Sequence, residues 1–295
     1  MGLILATLSA LIFGSADYCG GRATRTVAAP TVTFTSQACG LAVLAVAVVL
    51  VPANGPSIPV LAWGAAGGFC GAVGLLLLYG ALSTGTMSVV SPVCAVSAAS
   101  VPVVFGVVFV GERPSGSAYF GIVAALIAIA MVSRSSGESG HNDPNPSLDT
   151  KRKVSPPIVS KTVTMSMLAG LGFGAFFVLL NQAGDPADVG LWALVGARPS
   201  SMVVAAIVAF RTGRPLVPAR VSLPLVAAAG VLDQGANALY VLALGSGDLS
   251  VLGVLASLYP VSTVALARIL DHETLNAVQK FGVGLAFFGI VLIAI

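Results

Sequence analysis

Long apolar runs separated by brief polar breaks extend along almost the whole chain. A bilayer core about 30 Å thick needs roughly 20 apolar residues in a helix that rises about 1.5 Å per residue. A transmembrane barrel would instead show alternating segments of about ten residues. The pattern therefore predicts an all-α membrane protein with ten transmembrane helices. The predicted spans are residues 2–18, 30–51, 60–80, 86–110, 116–133, 162–181, 189–210, 221–243, 249–269 and 276–295.

The longest polar stretch, from Ser133 to Lys161, is rich in Ser, Pro, Asn and charged residues. Such a composition cannot bury a core and is typical of a flexible linker. It divides the spans five and five. We therefore expect a first five-helix repeat at residues 1–133, a flexible polar linker at 134–161, and a second five-helix repeat at 162–295.

Two sequence matches relate the halves. The ten residues ALSTGTMSVV that start at Ala81 resemble ALGSGDLSVL, which starts at Ala243, and each segment links the third span of its half to the fourth. Downstream, the triplet that ends at Glu112 corresponds to the triplet that ends at Glu273 after a slip of one residue. Matches in the same order indicate an internal repeat.

The loop charges indicate that the two copies are inverted, as an odd number of spans requires. In the first half the basic residues lie between the first and second spans, at Arg22 and Arg25. In the second half they lie between the second and third spans of the repeat, at Arg211, Arg214 and Arg220. Because Lys and Arg prefer cytoplasmic loops, the swapped bias predicts two inverted five-helix repeats.

The same charges predict an orientation. Of the 14 Lys and Arg residues, Arg198 and Lys280 lie within spans, and only Arg113 follows an even-numbered span. The others follow odd-numbered spans. By charge alone, the odd loops and the linker face the cytoplasm and both termini face out.

Composition excludes several classes of function. The chain is 57% hydrophobic and 8% charged, whereas soluble domains carry about 25% charged residues. Nothing in it suggests nucleic acid as a partner. The four cysteines have unrelated spacings, so they are interpreted as packing residues, and no metal or cofactor is expected. An enzyme would need a nucleophile, a metal site or an acid–base pair, yet the two histidines, His141 and His272, lie in loops.

Two ionisable residues fall at mid-span, where each is costly unless it has a partner, water or a function. Arg198 lies in the seventh span and Asp233 at similar depth in the eighth. One interpretation is a structural ion pair that joins two helices. The other is a cavity pair in which Asp233 exchanges a proton and Arg198 binds an anionic group.

Polar residues around Asp233 extend the candidate site. Asn237 and Tyr240 follow at i+4 and i+7, with Gln234 beside Asp233, so one face of the span is polar. Hydrogen bonds between helices or a wet cavity would explain this face, and a continuous stripe favours the cavity. By the repeat, Gln37 is the first-half counterpart of Arg198. The candidate substrate-binding or coupling residues are Arg198, Asp233, Gln37, Asn237, Tyr240 and Gln234.

Other features suggest structural roles. Asp17 is interpreted as a solvated helix end near Arg22 rather than a residue at a cavity mouth. Glycines at three- and four-residue intervals in the third span, from Gly64 to Gly74, predict close helix contacts. Pro260 in the ninth span predicts a kink, which is either static or part of a gate.

The inverted halves, the Gly-x-x-Ser start of the fourth helix, its closing glutamate and Leu258-Tyr259-Pro260 together resemble the EamA-type transporters of the drug/metabolite transporter (DMT) superfamily. Two departures are that the first half lacks a counterpart of Tyr259-Pro260 and that Asp271-His272-Glu273 replaces the usual Leu-Gly-Glu. The resemblance implies ten helices around a central cavity and export of small solutes such as amino acids, nucleobases or drugs. It also implies cytoplasmic termini, contrary to the loop charges.

The sequence thus predicts a multi-pass protein of the bacterial plasma membrane, a monomer or homodimer, whose partners are the lipid bilayer and a small-molecule substrate. We expect a secondary transporter that exports a metabolite or drug-like solute by alternating access, with protons as the candidate coupling ion. A membrane-embedded enzyme or a passive channel is the alternative.

Overall fold

The computed structural model of the chain describes residues 2–51, 54–105, 116–117, 119–121, 123–124, 127–128, 156–184, 186–244, 259–272 and 277–294. All regular secondary structure in these residues is helical. The long helices are α1 (Gly2–Ala23), α2 (Ala29–Leu50), α3 (Ile58–Leu82), α4 (Met87–Phe105), α5 (Pro156–Asn181), α6 (Trp192–Arg211), α7 (Leu223–Leu244), α8 (Pro260–Leu270) and α9 (Ala277–Ala294). A short helical turn, Pro186–Val189, precedes α6.

Six of these helices are long and apolar enough to cross a membrane: α1, α2, α3, α5, α6 and α7. Apolar segments of α4, α8 and α9 are shorter. Helices suit a bilayer because they satisfy their own backbone hydrogen bonds. The prediction of an all-α membrane protein is therefore confirmed for the described part of the chain. The predicted spans 86–110, 116–133, 249–269 and 276–295 lie wholly or partly on residues outside the description, so the count of ten stays a prediction.

Two helix ends differ from the sequence prediction. α1 continues to Ala23, beyond the predicted end at residue 18, because Gly20 and Gly21 let its last turn pack closely on Tyr79 and Leu82 of α3. α5 begins at Pro156, inside the predicted linker. The remainder of that linker, residues 134–155, lies outside the described residues, as do Glu112 and Glu273.

Most helix contacts join the first half of the chain to the second. α1 packs on α7 and α8, α2 on α6 and α7, α3 on α5 and α6, and α4 on α5, α8 and α9. If α1, α2, α3 and α4 are exchanged with α5, α6, α7 and α8, the α1–α7 contact becomes α5–α3 and the α2–α7 contact becomes α6–α3. The α2–α6 contact maps onto itself. The two halves are therefore interlocked in a nearly symmetric arrangement.

Small residues set the distance between these helices. A Cβ atom on Gly64 or Gly68 of α3 would overlap the backbone of Ala193 or Ala197 in α6, and one on Gly230 of α7 would overlap the backbone of Ser36 in α2. The close contacts predicted for the glycines of the third span are confirmed. They hold the helices near enough for side chains in the centre of the bundle to meet.

The loops collect at two ends of the bundle. At one end Thr31 and Thr35 of α2 donate hydrogen bonds to the carbonyls of Pro215 and Leu216. At the other, Asn54 donates to Asp188 over 3.2 Å. All described Lys and Arg residues except Arg198 belong to the first end, which we call the basic end: Arg22, Arg25, Lys161, Arg211, Arg214, Arg220, Arg268 and Lys280.

Apolar packing closes the basic end. Leu78, Tyr79 and Leu82 of α3 are fully buried there with Met87 of α4. Over them, the carboxylate of Asp271 after α8 pairs with Arg22 and, at 3.5 Å, with Arg25. The loop between α1 and α2 is thereby joined to the end of α8.

Candidate functional site

A cavity of about 170 Å³ lies in the middle of the bundle and receives residues from α1 to α7 and from Tyr259, just before α8. Its lining reaches from Asp17 of α1 and Leu75 of α3 on the side of the basic end to Phe177 of α5 and Tyr240 of α7 on the opposite side. Its wall is mostly aromatic or small. The lining residues are Phe13, Asp17, Gln37, Gly71, Leu75, Ala95, Ala98, Ala99, Phe173, Phe176, Phe177, Ala197, Arg198, Ser201, Asp233, Asn237, Tyr240 and Tyr259.

Arg198 is at the polar centre of this cavity. It is 5% exposed, and it follows Ala197, which packs against Gly68, so the close α3–α6 contact fixes where its side chain begins. Pro199, next in the helix, removes one rung of the backbone hydrogen-bond ladder. The helix is thus locally constrained at the residue that carries the cavity's positive charge.

One guanidinium nitrogen of Arg198 joins both halves of the chain. Nη1 donates to Gln37 Oε1 over 2.5 Å and to Asp233 Oδ2 over 3.0 Å. The ion pair expected from the similar depths of Arg198 and Asp233 is present. The other two nitrogens, Nε and Nη2, are buried and have no acceptor among the described residues.

The polar face of α7 faces the cavity over two turns. Asn237 Nδ2 donates to the backbone carbonyl of Asp233 over 2.8 Å and to Asp233 Oδ1 over 3.3 Å. Tyr240, one turn on, contacts Phe177 edge to face, with ring centroids 5.3 Å apart. The structure therefore places Arg198, Asp233, Gln37, Asn237 and Tyr240 around one space.

Gln234 does not line the cavity. Its side chain is fully buried and faces α2 at Gly40. Consecutive helical residues point about 100° apart, so a neighbour of Asp233 in sequence points toward another helix. The prediction that Gln234 belongs with the cavity residues is not supported by this position.

Asp17 does line the cavity, and its interpretation as a solvated helix end is wrong. Because α1 continues to Ala23, Asp17 lies more than a turn inside the helix. Arg22, its expected neighbour, pairs with Asp271 instead. Among the described residues, none donates a hydrogen bond to Asp17 or forms an ion pair with it.

Sequence reasoning also missed the aromatic wall. Phe173, Phe176 and Phe177 are spaced i, i+3 and i+4, a pattern that places them on one face of α5. That spacing alone equally fits ordinary packing between helices. Tyr259 also lines the cavity, whereas the sequence indicates it only as part of the Leu258-Tyr259-Pro260 motif.

The chemistry of the lining residues indicates what the cavity can bind. Within the described ranges, no group of three His, Cys, Asp or Glu side chains could hold a metal ion. The cavity offers one paired arginine with free donors, two carboxylates, two amides and flat aromatic surfaces. Such a set can orient a small polar molecule with an apolar body.

Comparisons with known proteins agree with this architecture. The sequence model of the EamA-like transporter family matches residues 1–134 and again residues 160–295. A search among curated proteins gives no significant match. One solved crystal structure, described only as that of a protein, superposes with a TM-score of 0.63 over 98% of this chain and 94% of that chain, at 17% identity, a level that supports the fold alone. With two matches that together cover most of its length, this membrane protein belongs to the EamA-like transporter family.

Proposed function

We propose that the chain is a secondary transporter that exports a small metabolite or drug-like solute across the bacterial plasma membrane by alternating access. The observation that supports it most is the central cavity, in which Arg198 of the second half contacts Gln37 of the first half and Asp233 of its own half. A substrate at that position would touch both halves at once. Movement of one half against the other would therefore alter the site.

The helix contacts support two halves that rock as units. Both halves use the same pairs of contacts, α1 with α7 and α3 with α5, and α2 meets α6 in the middle. Inverted repeats give a transporter two alternative states of similar energy, because the conformation of one repeat can be exchanged with that of the other. The predicted division at the polar linker, with repeats at residues 1–133 and 162–295, fits this scheme.

In this proposal the described conformation is one of the two states. Apolar packing around Tyr79 and the pairing of Asp271 with Arg22 and Arg25 close the basic end. The aromatic residues Phe177 and Tyr240 line the cavity on the side opposite the basic end. In the alternate state these contacts at the basic end separate, and the aromatic contact of Phe177 with Tyr240 becomes part of the closed side.

The proposed orientation of the chain in the membrane follows from the position of its Lys and Arg residues. If Lys and Arg prefer the cytoplasm, the basic end is cytoplasmic and the described state is closed toward the cytoplasm. Family resemblance implies cytoplasmic termini instead. A fluorescent reporter fused to the C-terminus discriminates these orientations, since a signal from the cytoplasm alone contradicts the orientation based on charge.

Coupling to protons is proposed through Asp233. Its side chain is 24% exposed, and one carboxylate oxygen pairs with Arg198 while the other accepts from Asn237. A proton on this carboxylate would remove the charge that holds Arg198. Proton binding would then be linked to the shape of the cavity.

The test compares flux in vesicles under an imposed pH gradient. A metabolomic comparison of cells with and without the protein identifies the solute to measure. Asp233→Asn should abolish the dependence of flux on the gradient, whereas Asp188→Asn, the same substitution in the exposed helical turn before α6, should leave it intact. Gradient-driven flux that is unchanged in Asp233→Asn contradicts the coupling proposal.

A further inference from the structure

The charges around the cavity do not cancel. Arg198 and Asp233 form a neutral pair at 3.0 Å, which leaves the carboxylate of Asp17. No described residue supplies an opposite charge to it. An isolated carboxylate away from bulk water is costly as the anion, and an occupant that carries one positive charge beside Asp17 would stabilise the ionised form.

Arg198 indicates a second feature of that occupant. Its side chain is 6% exposed, and its Nε and Nη2 atoms lack an acceptor among the described residues. Buried donors of this kind require a hydrogen-bond acceptor. Because Asp233 already balances the charge of Arg198, a neutral acceptor such as a carbonyl oxygen suffices. A carboxylate on the ligand would restore the excess of negative charge in the cavity.

The residues that line the cavity indicate what the rest of the ligand is. The cavity is lined by aromatic residues from α1, α5, α7 and the residue before α8, namely Phe13, Phe173, Phe177, Tyr240 and Tyr259. Aromatic faces attract cations and pack well against flat apolar groups. A cavity of about 170 Å³ is smaller than the range of roughly 300–1,000 Å³ typical of drug-sized ligands, which points to a molecule with a single ring.

From these observations we propose that the cavity binds a small organic monocation with an apolar body and a neutral hydrogen-bond acceptor, its ammonium group at Asp17 and its acceptor at the free edge of Arg198. The proposal rests on the proposed function, because this ligand would be the transported solute. It assigns Asp17 and Asp233 different tasks: Asp17 binds the ligand, while Asp233 holds Arg198.

Isothermal titration calorimetry on the purified full chain in lipid nanodiscs tests the ligand class with four probes of one ring each. Phenylalanine amide has the cation and the neutral acceptor, phenethylamine has the cation alone, phenylalanine is the zwitterion, and 3-phenylpropionate is the anion. We expect phenylalanine amide to bind most tightly and phenethylamine about fivefold to tenfold more weakly, the effect of about one hydrogen bond. The anion should not bind, and the zwitterion should bind at least about tenfold more weakly than its amide.

Variants assign each contact to a residue. Asp17→Asn should lower the affinity for both amines by about tenfold or more, since a charged partner is lost. Asp188→Asn should leave both affinities unchanged. Arg198→Lys keeps the charge beside Asp233 but removes the free edge, and it should lower the affinity for phenylalanine amide to that for phenethylamine. Thermal unfolding of each variant verifies that it is folded, and Asp17→Glu, which retains the charge, should retain part of the binding if Asp17→Asn does not fold.

Three results would overturn the proposal: tighter binding of phenylalanine or 3-phenylpropionate than of the amide, unchanged amide binding in Asp17→Asn, and no binding of either amine. These readouts involve no transport. Amine binding without flux would contradict the proposed function and leave the ligand class standing. Flux of an anion or zwitterion without amine binding would support the proposed function and contradict the ligand class.

Discussion

The two halves of the cavity wall are built from corresponding helices but carry different chemistry. From the first half, α1 contributes Phe13 and Asp17, α2 contributes Gln37, and α3 and α4 contribute mainly Gly, Ala and Leu. From the second half, α5 contributes three phenylalanines, α6 contributes Arg198, and α7 contributes Asp233, Asn237 and Tyr240. The backbone arrangement is nearly symmetric, whereas the site is not.

The contact between α2 and α6 explains why the chemistry must differ. Gln37 and Arg198, which the repeat makes equivalent, meet directly across this contact at 2.5 Å. Two arginines at that distance would repel strongly in a medium of low dielectric constant. One equivalent position therefore has to accept the hydrogen bond that the other donates, so the centre of a symmetric scaffold enforces an asymmetric pair.

The largest effect is expected when Arg198, the charged member of the Gln37–Arg198 contact, is replaced. Arg198→Gln leaves Asp233 partly buried without its counter-charge, and it should lower the free energy of unfolding by about 3–5 kcal/mol. Thermal or denaturant unfolding in detergent measures this. Adding Asp233→Asn should restore part of the loss, because the uncompensated charge is gone. A double variant no more stable than Arg198→Gln would show that Arg198 and Asp233 do not stabilise each other.

Exchanging the two equivalent residues sharpens the comparison. Gln37→Arg alone places two guanidinium groups together and adds volume, and it should reduce stability by about 2–3 kcal/mol. The double variant Gln37→Arg with Arg198→Gln restores one donor and one acceptor at the contact. It should therefore be more stable than Gln37→Arg alone in the same unfolding measurement; equal stabilities would contradict the direct contact.

A smaller effect is expected from the packing that both halves share. Gly68→Ala would place a methyl group against the backbone of Ala197, and it should cost about 1–3 kcal/mol of stability. Gly235→Ala is the matched control, because nothing lies within 4 Å of a Cβ atom there, and helix propensity favours alanine. If both substitutions lower the unfolding temperature equally, α3 and α6 are not in close contact.

The smallest effect belongs to the basic end. The side chain of Asp271 is 5% exposed, but Arg22 and Arg25 are 47% and 39% exposed, and ion pairs near water contribute about 0–1 kcal/mol. Asp271→Asn should cost no more than about 1 kcal/mol, and the difference should shrink in high salt. A loss of several kcal/mol would mean that this contact supports the bundle rather than only closing one end.

The sequence was informative where one physical effect dominated. Apolar length predicted the helices, because lipid leaves few other choices for a backbone, and the cost of buried charge predicted that Arg198 and Asp233 would pair. Asp17 was misplaced because the helix end was inferred from hydropathy, which decreases at Tyr18, whereas the end at Ala23 depends on packing against Tyr79 and Leu82. Such packing involves residues distant in sequence, which no local pattern reports.

A local pattern likewise does not report what each side chain of a helix faces. The stripe of Asp233, Asn237 and Tyr240 was predicted from spacing, but spacing does not say how wide a cavity-facing strip is, and Gln234 faces α2 instead. The wall of α5 was missed because an aromatic face against a cavity and one against a neighbouring helix have the same pattern.

The central claim is that the cavity is exposed to the two sides of the membrane in turn. In a variant with Cys19, Cys39, Cys70 and Cys94 replaced by serine, Ala98→Cys places one thiol in the cavity wall, and Leu44→Cys, fully buried outside the cavity, is the control. A membrane-impermeant thiol reagent should label Ala98→Cys both in right-side-out and in inside-out vesicles, and should leave Leu44→Cys unlabelled. Labelling of Ala98→Cys from one side alone would contradict alternating access at this site.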